Sequence, residues 1–439
     1  MKDYPKILIF YQPFNSYSGG GITLTNLFLG WPKERLAVLS YPFMLNEVSW
    51  EVCGNYYQLG NKEFRWIFPL NMFKQSYPSG VLKFEGAGLK NYSIHRTGLK
   101  NRIANSFINP LIEWLGLHHC ISRLNFSLDL QKWLSDFAPD LIYLQVSNRE
   151  SIAFSRRLIE YLETPAIIHM MDDWPTTISI YGPLKTYWRT VIDREFRGLL
   201  DKVSLHLSIS DAMSDEYFRR YNKVFKAFHN PVNNLAETEL TLNKEAPSKH
   251  FRILYLGRIG TANKNSIVWF ANHISQHYDD HFPVVFDIFS KDNKTPEMEE
   301  IGHLRNVNIY NPVKYERVWT LMKEYDLLLL PMDFTSAGLK FSKFSIPTKA
   351  SEYMFSGTPI LILAPEETAV CRFFMAHNCG YCVTTFERSA LNNALNVLIH
   401  DGQYRETISQ NAYKIARERF DGEKVRREFH DLLIATKNR

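Results

Sequence analysis

Ser345-Ile346-Pro347-Thr348-Lys349-Ala350-Ser351-Glu352-Tyr353-Met354-Phe355-Ser356-Gly357-Thr358-Pro359-Ile360-Leu361-Ile362-Leu363-Ala364-Pro365 is the stretch that decides the fold. Pro347 opens a short helix, its fixed φ suiting a first turn. Lys349, Glu352, Tyr353 and Ser356 recur at three and four, so they share one face or neighbouring faces. Gly357 ends the helix, because glycine tolerates the positive φ of a C-terminal cap. Pro359 then leads an apolar run long enough for a buried parallel strand and too short for a core helix. One basic and one acidic side chain thus stand on a helix whose N-terminus faces a loop. A sugar phosphate suits that arrangement: helix end and lysine attract phosphate, and the carboxylate accepts from hydroxyls. Taken alone, the same spacing describes an ordinary surface pair equally well.

The surroundings of this stretch favour an α/β chain with two Rossmann-like, doubly wound halves. In the first half, strands are expected at 6–11, 36–41, 140–145, 165–171, 203–209 and 224–228, with helices between several of them. The polar run from Asn233 to His250 reads as a linker. The pattern restarts with strands at 251–257, 284–290, 307–310, 326–331, 359–364 and 381–384. Charged helices over 403–419 and 422–435 close the chain. Two such halves facing each other would leave a cleft at the carboxyl ends of both sheets.

A chain of 439 residues exceeds what one hydrophobic core usually supports. With 45% hydrophobic and 22% charged residues it reads as a soluble globular protein, and no apolar run approaches the ~20 residues of a membrane span. Five cysteines, an odd number in a long chain, fit a reducing cytoplasm better than a disulfide framework. Charge is uneven. The formal surplus is +5, yet residues 60–125 hold nine Lys/Arg against three Asp/Glu, amid many aromatics. Such a segment suits peripheral contact with a membrane surface or an anionic acceptor, and equally a solvated face over an ordinary core. No nucleic-acid motif accompanies the charge, so nucleic acid is not expected as a partner.

Three places at strand ends carry polar groups fit for chemistry. In Gly257-Arg258-Ile259-Gly260-Thr261-Ala262-Asn263-Lys264, two cations flank a loop between strand and helix and can hold a leaving diphosphate. Lys349 and Glu352 form the second place, with Ser336-Ala337-Gly338-Leu339-Lys340 upstream as a source of backbone amides for the same anion. The third is His169-Met170-Met171-Asp172-Asp173: His169 could contact a sugar hydroxyl, and Asp172 or Asp173 could orient it or the acceptor nucleophile. A structural histidine and a helix-capping aspartate are the rival readings there. Near the N-terminus, Gly19, Gly20 and Gly21 make a glycine loop between a strand and a helix running to about Trp31. Backbone amides there can approach phosphate closely, although Leu24 occupies the third glycine position of a dinucleotide fingerprint. No Asp-x-Asp occurs, which weakens a metal-bridged nucleotide-sugar site. Cys379-Gly380-Tyr381-Cys382 has metal-ligand spacing but no second pair, and Gly380 as a helix terminator explains it more simply.

Taken together these pieces resemble the GT-B glycosyltransferases, specifically the retaining group called family 4. The residues that carry the resemblance are Gly257-Arg258 with Lys264-Asn265, Ser345-x-Pro347-x-Lys349-x-x-Glu352-Tyr353 with Ser356-Gly357-x-Pro359, and Ser210 with His229-Asn230-Pro231. The resemblance implies that Arg258 and Lys264 hold the donor diphosphate, that Glu352 binds the nucleotide ribose, and that Gly19 to Gly21 lie by the phosphates and acceptor. It implies that His169 contacts the transferred sugar, and that no obligatory metal or cofactor takes part. Phe344 stands where many members carry a second glutamate, and the loop from Arg258 to Lys264 is slightly longer than usual.

The expected organisation is an acceptor-binding domain over 1–232, a linker over 233–250, a nucleotide-sugar domain over 251–415, and a C-terminal helix over 416–439 returning to the first domain. The expected reaction moves a sugar from a nucleotide-diphosphate donor to the hydroxyl of a glycan or lipid-linked acceptor, with retention, in surface polysaccharide or glycolipid biosynthesis. The expected site is cytoplasmic, at most peripheral at the inner face of the plasma membrane. A nucleotide-sugar epimerase of the same fold, or an inactive binding scaffold, are the alternatives.

Overall fold

The computed structural model describes residues 4–67, 76–83, 109–233, 250–278 and 283–437. The expected linker therefore lies almost wholly outside the described residues, as does much of the basic segment 60–125. The chain divides into two compact units, one of Met1–Phe228 with Arg426–Arg439, the other of His229–Val425.

The first unit is built on eight strands: β1 (Ile7–Phe10), β2 (Leu36–Ser40), β3 (Tyr56–Gln58), β5 (Gly80–Val81), β7 (Leu141–Leu144), β8 (Ala166–Met170), β9 (Leu205–Ser208) and β10 (Lys226–Ala227). Their order is β10-β9-β8-β7-β1-β2-β3-β5, parallel except for β5 at the edge. β1, β2, β7 and β8 are buried at every position. Burial on both faces is why they read as unbroken apolar runs rather than alternating ones. The chain reverses direction across the sheet between β1 and β7, whose carboxyl ends lie side by side. A separate antiparallel ribbon pairs β4 (Phe64–Trp66) with β6 (Ser122–Leu124).

The last helix, Gly422–Lys437, supplies the end of this unit. Phe429 is fully buried among Phe28, Tyr143 and Phe228, and the His430 imidazole bonds to the carbonyl of Leu27 at 2.9 Å. Truncating a buried phenylalanine of this kind typically costs about 3–5 kcal/mol, so these contacts, far apart in sequence, anchor the C-terminal residues firmly.

The second unit has six parallel strands: β11 (Phe251–Leu256), β12 (Val284–Phe289), β13 (Val307–Tyr310), β14 (Leu327–Pro331), β15 (Ile360–Leu363) and β16 (Tyr381–Val383). Their order, β13-β12-β11-β14-β15-β16, is that of a complete Rossmann sheet. Alternate residues of the central strands feed two buried clusters, one on each face. Ile253, Tyr255, Leu327 and Leu329 join one cluster, and Leu254, Leu256, Leu328 and Leu330 the other. The switch point falls between β11 and β14, where ligands of such sheets bind. Among the described residues no helix is long and apolar enough to cross a membrane.

Candidate active site

The helix of the opening stretch runs Thr348–Ser356, with Pro347 at its N-cap and Gly357, at φ +75°, closing it in the left-handed region. Two of its side chains reach the end of β11. The Tyr353 hydroxyl accepts from the Leu256 amide at 3.0 Å. Lys349 Nζ donates to the Tyr255 hydroxyl at 3.1 Å and sits 4.5 Å from the centre of that ring. The spacing Lys-x-x-x-Tyr is thus a clamp that fixes the helix on the strand next to the switch point.

Gly257 makes that approach achievable. Its φ of +134° is a backbone state that side-chain-bearing residues rarely adopt, and a Cβ there would lie 2.0 Å from Lys349 Nζ. Glycine alone fits both conditions.

Tyr255 is the centre of the arrangement, and sequence reasoning missed it because an aromatic in an apolar strand reads as core. Its hydroxyl donates to the Arg258 carbonyl at 2.5 Å and accepts from Asn263 Nδ2 at 2.7 Å and from Lys349. One donor and two acceptors are the full capacity of a phenol. Helix, strand end and the loop 257–263 are therefore held by a single oxygen.

Burial pulls the Lys349 ammonium down to about 8, against the opposing pull of the Glu352 and Asp292 carboxylates. Burial likewise pushes the Glu352 carboxyl up to about 7, with Lys349 opposing. Among the described residues the two form no direct ion pair, so the surface-pair reading does not describe them. Each is a half-buried titratable group shifted toward its neutral form, the kind of perturbation that marks ligand sites.

The other two cations expected at this site, Arg258 and Lys264, are already matched by acids. Arg258 bonds to Asp292 at 2.7 Å, and the same carboxylate oxygen accepts the Ile259 amide at 2.9 Å. Lys264, the first residue of the helix Lys264–His277, pairs with Glu297. Neither Asp292 nor Glu297 belongs to a motif legible in the sequence. The Gly338 amide is taken by the Thr335 hydroxyl, which caps the helix Ser336–Ser342, and the Leu339 amide bonds to the Thr335 carbonyl. A Cβ on Gly338 would meet Asp333 at 2.4 Å. That glycine lets its helix close on Asp333, a buried residue that also accepts from Asn265 and the Thr335 amide.

His229-Asn230-Pro231 has a structural part here. The Ser351 hydroxyl, on the Lys349 helix, donates to the Asn230 carbonyl at 3.4 Å, and the His229 ring meets Phe420 edge-on.

In the first unit, His169 lies on β8 and is almost fully buried, its Nδ1 bonded to the Tyr143 hydroxyl. Asp172 follows it and is exposed. Asp173 is buried and engaged throughout: Arg220 grips both its oxygens at 2.8 and 2.7 Å, Tyr217 donates at 3.2 Å and Thr176 at 3.1 Å. It stands at the N-cap of the short helix Trp174–Thr177 without a side-chain capping bond. These bonds support a structural role for Asp173.

Gly19, Gly20 and Gly21 are the first turn of the helix Gly19–Phe28 rather than a loop preceding it. The Ser18 hydroxyl caps Gly21 at 3.1 Å, worth about 1 kcal/mol. Gly21 packs so near Asn15 that a Cβ would lie 2.2 Å from its amide oxygen. Capping and close packing offset the poor helix propensity of three glycines. Ser210 similarly caps the helix Asp211–Tyr221.

Residues 240–415 match the family described as "Glycosyl transferases group 1". No curated protein sequence matches the chain. Solved structures resemble it over nearly its whole length. One is Anabaena HepE in complex with UDP and glucose, with a TM-score of 0.59 and 15% identity over 98% of this chain and 100% of that one. Another is sucrose-phosphate synthase from Thermosynechococcus elongatus, at 0.57 and 12% over 97% of each chain. A third is WaaG, described as a glycosyltransferase involved in lipopolysaccharide biosynthesis, at 0.55 and 12% over 97% of this chain and 99% of that one. At such identities the likeness is one of fold: two Rossmann-like domains of the GT-B kind.

Proposed function

We infer that this GT-B chain, with its group 1 glycosyl transferase segment at 240–415, moves a sugar from a nucleoside-diphosphate donor to an acceptor hydroxyl. The observation that carries this reading is the Lys349–Tyr255 bond beside Glu352 at the β11–β14 switch point. There a half-buried ammonium and a half-buried carboxyl await a ligand with both phosphate and hydroxyl groups.

The donor diphosphate is assigned to Lys349 with Arg258 and Lys264, and the ribose to Glu352, which accepts from its hydroxyls. Binding an anion restores the proton that burial loosens on Lys349. Arg258, two-thirds exposed and ion-paired on one edge only, has N–H groups left to share with a phosphoryl oxygen while Asp292 holds it in place. Developing charge on the leaving diphosphate is then met by fixed cations, without a metal or other cofactor. His169, oriented by Tyr143, is the group assigned to the transferred sugar. Retention, a hexosyl donor, a glycan or lipid-linked acceptor, a cytoplasmic setting and a place in surface polysaccharide or glycolipid synthesis complete the reading. UDP in the HepE complex and the lipopolysaccharide pathway of WaaG support its donor and acceptor sides.

A thermal-shift panel of nucleoside diphosphates and their sugars tests it, since a ligand that binds only the folded state raises Tm by mass action. One diphosphate and its sugar conjugate should raise Tm well above the others. A flat panel would contradict the reading.

A further inference from the structure

The first unit holds a second concentration of charge, apart from the residues discussed so far. A cavity of about 460 Å³ lies between the β4–β6 ribbon and the helix Arg149–Leu162, within the usual ~300–1,000 Å³ of small-molecule sites. Four arginines line it, Arg65, Arg123, Arg149 and Arg157, against one carboxylate, Glu150.

The arrangement is costly when empty. Arg65 and Arg123 are direct partners in the antiparallel register, so they project from the same face of the ribbon about 5 Å apart at Cβ. Like charges directly opposite destabilise a strand pair. Among the described residues neither forms an ion pair. Arg157 faces them from the helix. It gives Nη2 to the Leu124 carbonyl at 2.5 Å and Nε to its own helix at Ala153, and it too forms no ion pair among the described residues. Burial, and next the charge of Arg123, weaken its hold on its proton.

Arg149 differs, because Glu195 grips it at 2.8 and 2.6 Å and the His119 carbonyl accepts a third bond at 3.1 Å. That clamp fixes one wall. Glu150 accepts from the Tyr41 hydroxyl at 3.3 Å, and burial raises its pKa; it is one carboxylate beside the three arginines Arg65, Arg123 and Arg157. His119 adds no charge at neutral pH, since burial lowers it to about 3.

Guanidinium groups gathered around a cavity repel one another; a multivalent anion in the cavity adds an attraction to each of them that outweighs those repulsions. Arginine forks match phosphate in geometry as well as charge. The cavity also adjoins the carboxyl edge of the first sheet. The helix that lines it follows β7, and Tyr41, which bonds to Glu150, directly follows β2. We propose that this cavity binds the phosphate or diphosphate group of a phosphorylated acceptor. The anion site stands on the arginines alone; only the word acceptor rests on the glycosyl-transfer reading.

Calorimetric titration of the full chain with inorganic pyrophosphate, in saturating UDP, tests the site. The wild type should bind, and Arg65→Ala/Arg123→Ala should weaken binding at least tenfold while leaving UDP affinity unchanged. Both arginines are exposed on the ribbon, so an unchanged or higher Tm in the variant shows that the loss is not one of folding. Equal pyrophosphate affinity in the two proteins overturns the proposal, as does no binding to the wild type. UDP binding is read separately, so failure of the donor site and failure of this pocket give different results. Displacement of pyrophosphate by dodecyl phosphate assigns a lipid phosphate, and displacement by glucose 1-phosphate a soluble sugar phosphate; displacement by neither also overturns the proposal.

Discussion

The two charged regions treat their cations in opposite ways. In the second unit Arg258 leans on Asp292, Lys264 on Glu297, and Lys349 on the Tyr255 hydroxyl. In the first unit Arg65 and Arg123 face each other, and among the described residues neither forms an ion pair. A site whose charges are pre-balanced keeps its shape whether occupied or not, and suits a ligand bound in every turnover. A site whose charges repel is completed by its ligand. Buried charge need not signal a ligand, however, and Asp173 is the control: fully bonded to Arg220, Tyr217 and Thr176, it has nothing left to offer.

Asp173→Ala should give the largest effect. It removes the buried carboxylate that Arg220 grips and should cost about 3–5 kcal/mol of stability, visible as a large fall in Tm, with UDP affinity unchanged. Full stability with lost transfer would return Asp173 to the reacting groups and break the comparison.

Gly257→Ala comes next. The strained φ of +134° alone costs about 1–3 kcal/mol, and the new methyl displaces Lys349 from Tyr255. UDP affinity should fall about tenfold or more, the equivalent of ~1.4 kcal/mol. Unchanged affinity by calorimetry would mean that the clamp does not shape the donor site.

A smaller effect concerns pH. The folded pKa of Glu352, about 7, lies above its ordinary 4.5, so between those values the folded chain binds more protons than the unfolded one. Stability must therefore fall as pH rises through that window. Glu352→Gln removes the slope. Its Tm should match the wild type near pH 4.5 and exceed it at pH 8 by about 2–4 °C for each kcal/mol recovered. Equal Tm at both pH values would show that the carboxyl is not held away from its ordinary state.

Much of the fold was legible because buried parallel strands announce themselves as short apolar runs. β1, β2, β7, β8 and all six strands of the second unit lie within the runs expected of them. The helix Thr348–Ser356 and its closing Gly357 were equally plain. What escaped lacks periodicity or caps. β3 to β6 are two or three residues each, too short to show alternation. The helix Lys185–Leu200 buries Trp188, Ile192, Phe196 and Leu199 at helical spacing, but begins at Leu184 with no capping side chain to mark it. In the site, Lys349, Glu352 and Arg258 were readable from their spacing around strand ends. Asp292, Glu297 and the hub hydroxyl of Tyr255 were not, because each acts through a partner 3 to 94 residues away that no local pattern encodes. The arginine pocket was visible only as excess charge, until strand pairing set Arg65 opposite Arg123.

The central claim is that the end of β11 and the Lys349 helix form one nucleoside-diphosphate site. Calorimetric titration of UDP into the wild type and into Glu352→Ala and Arg258→Ala tests it most directly. The account predicts saturable binding to the wild type, weakened at least tenfold in Glu352→Ala and by a smaller factor in Arg258→Ala. Binding of equal strength in all three proteins would contradict it.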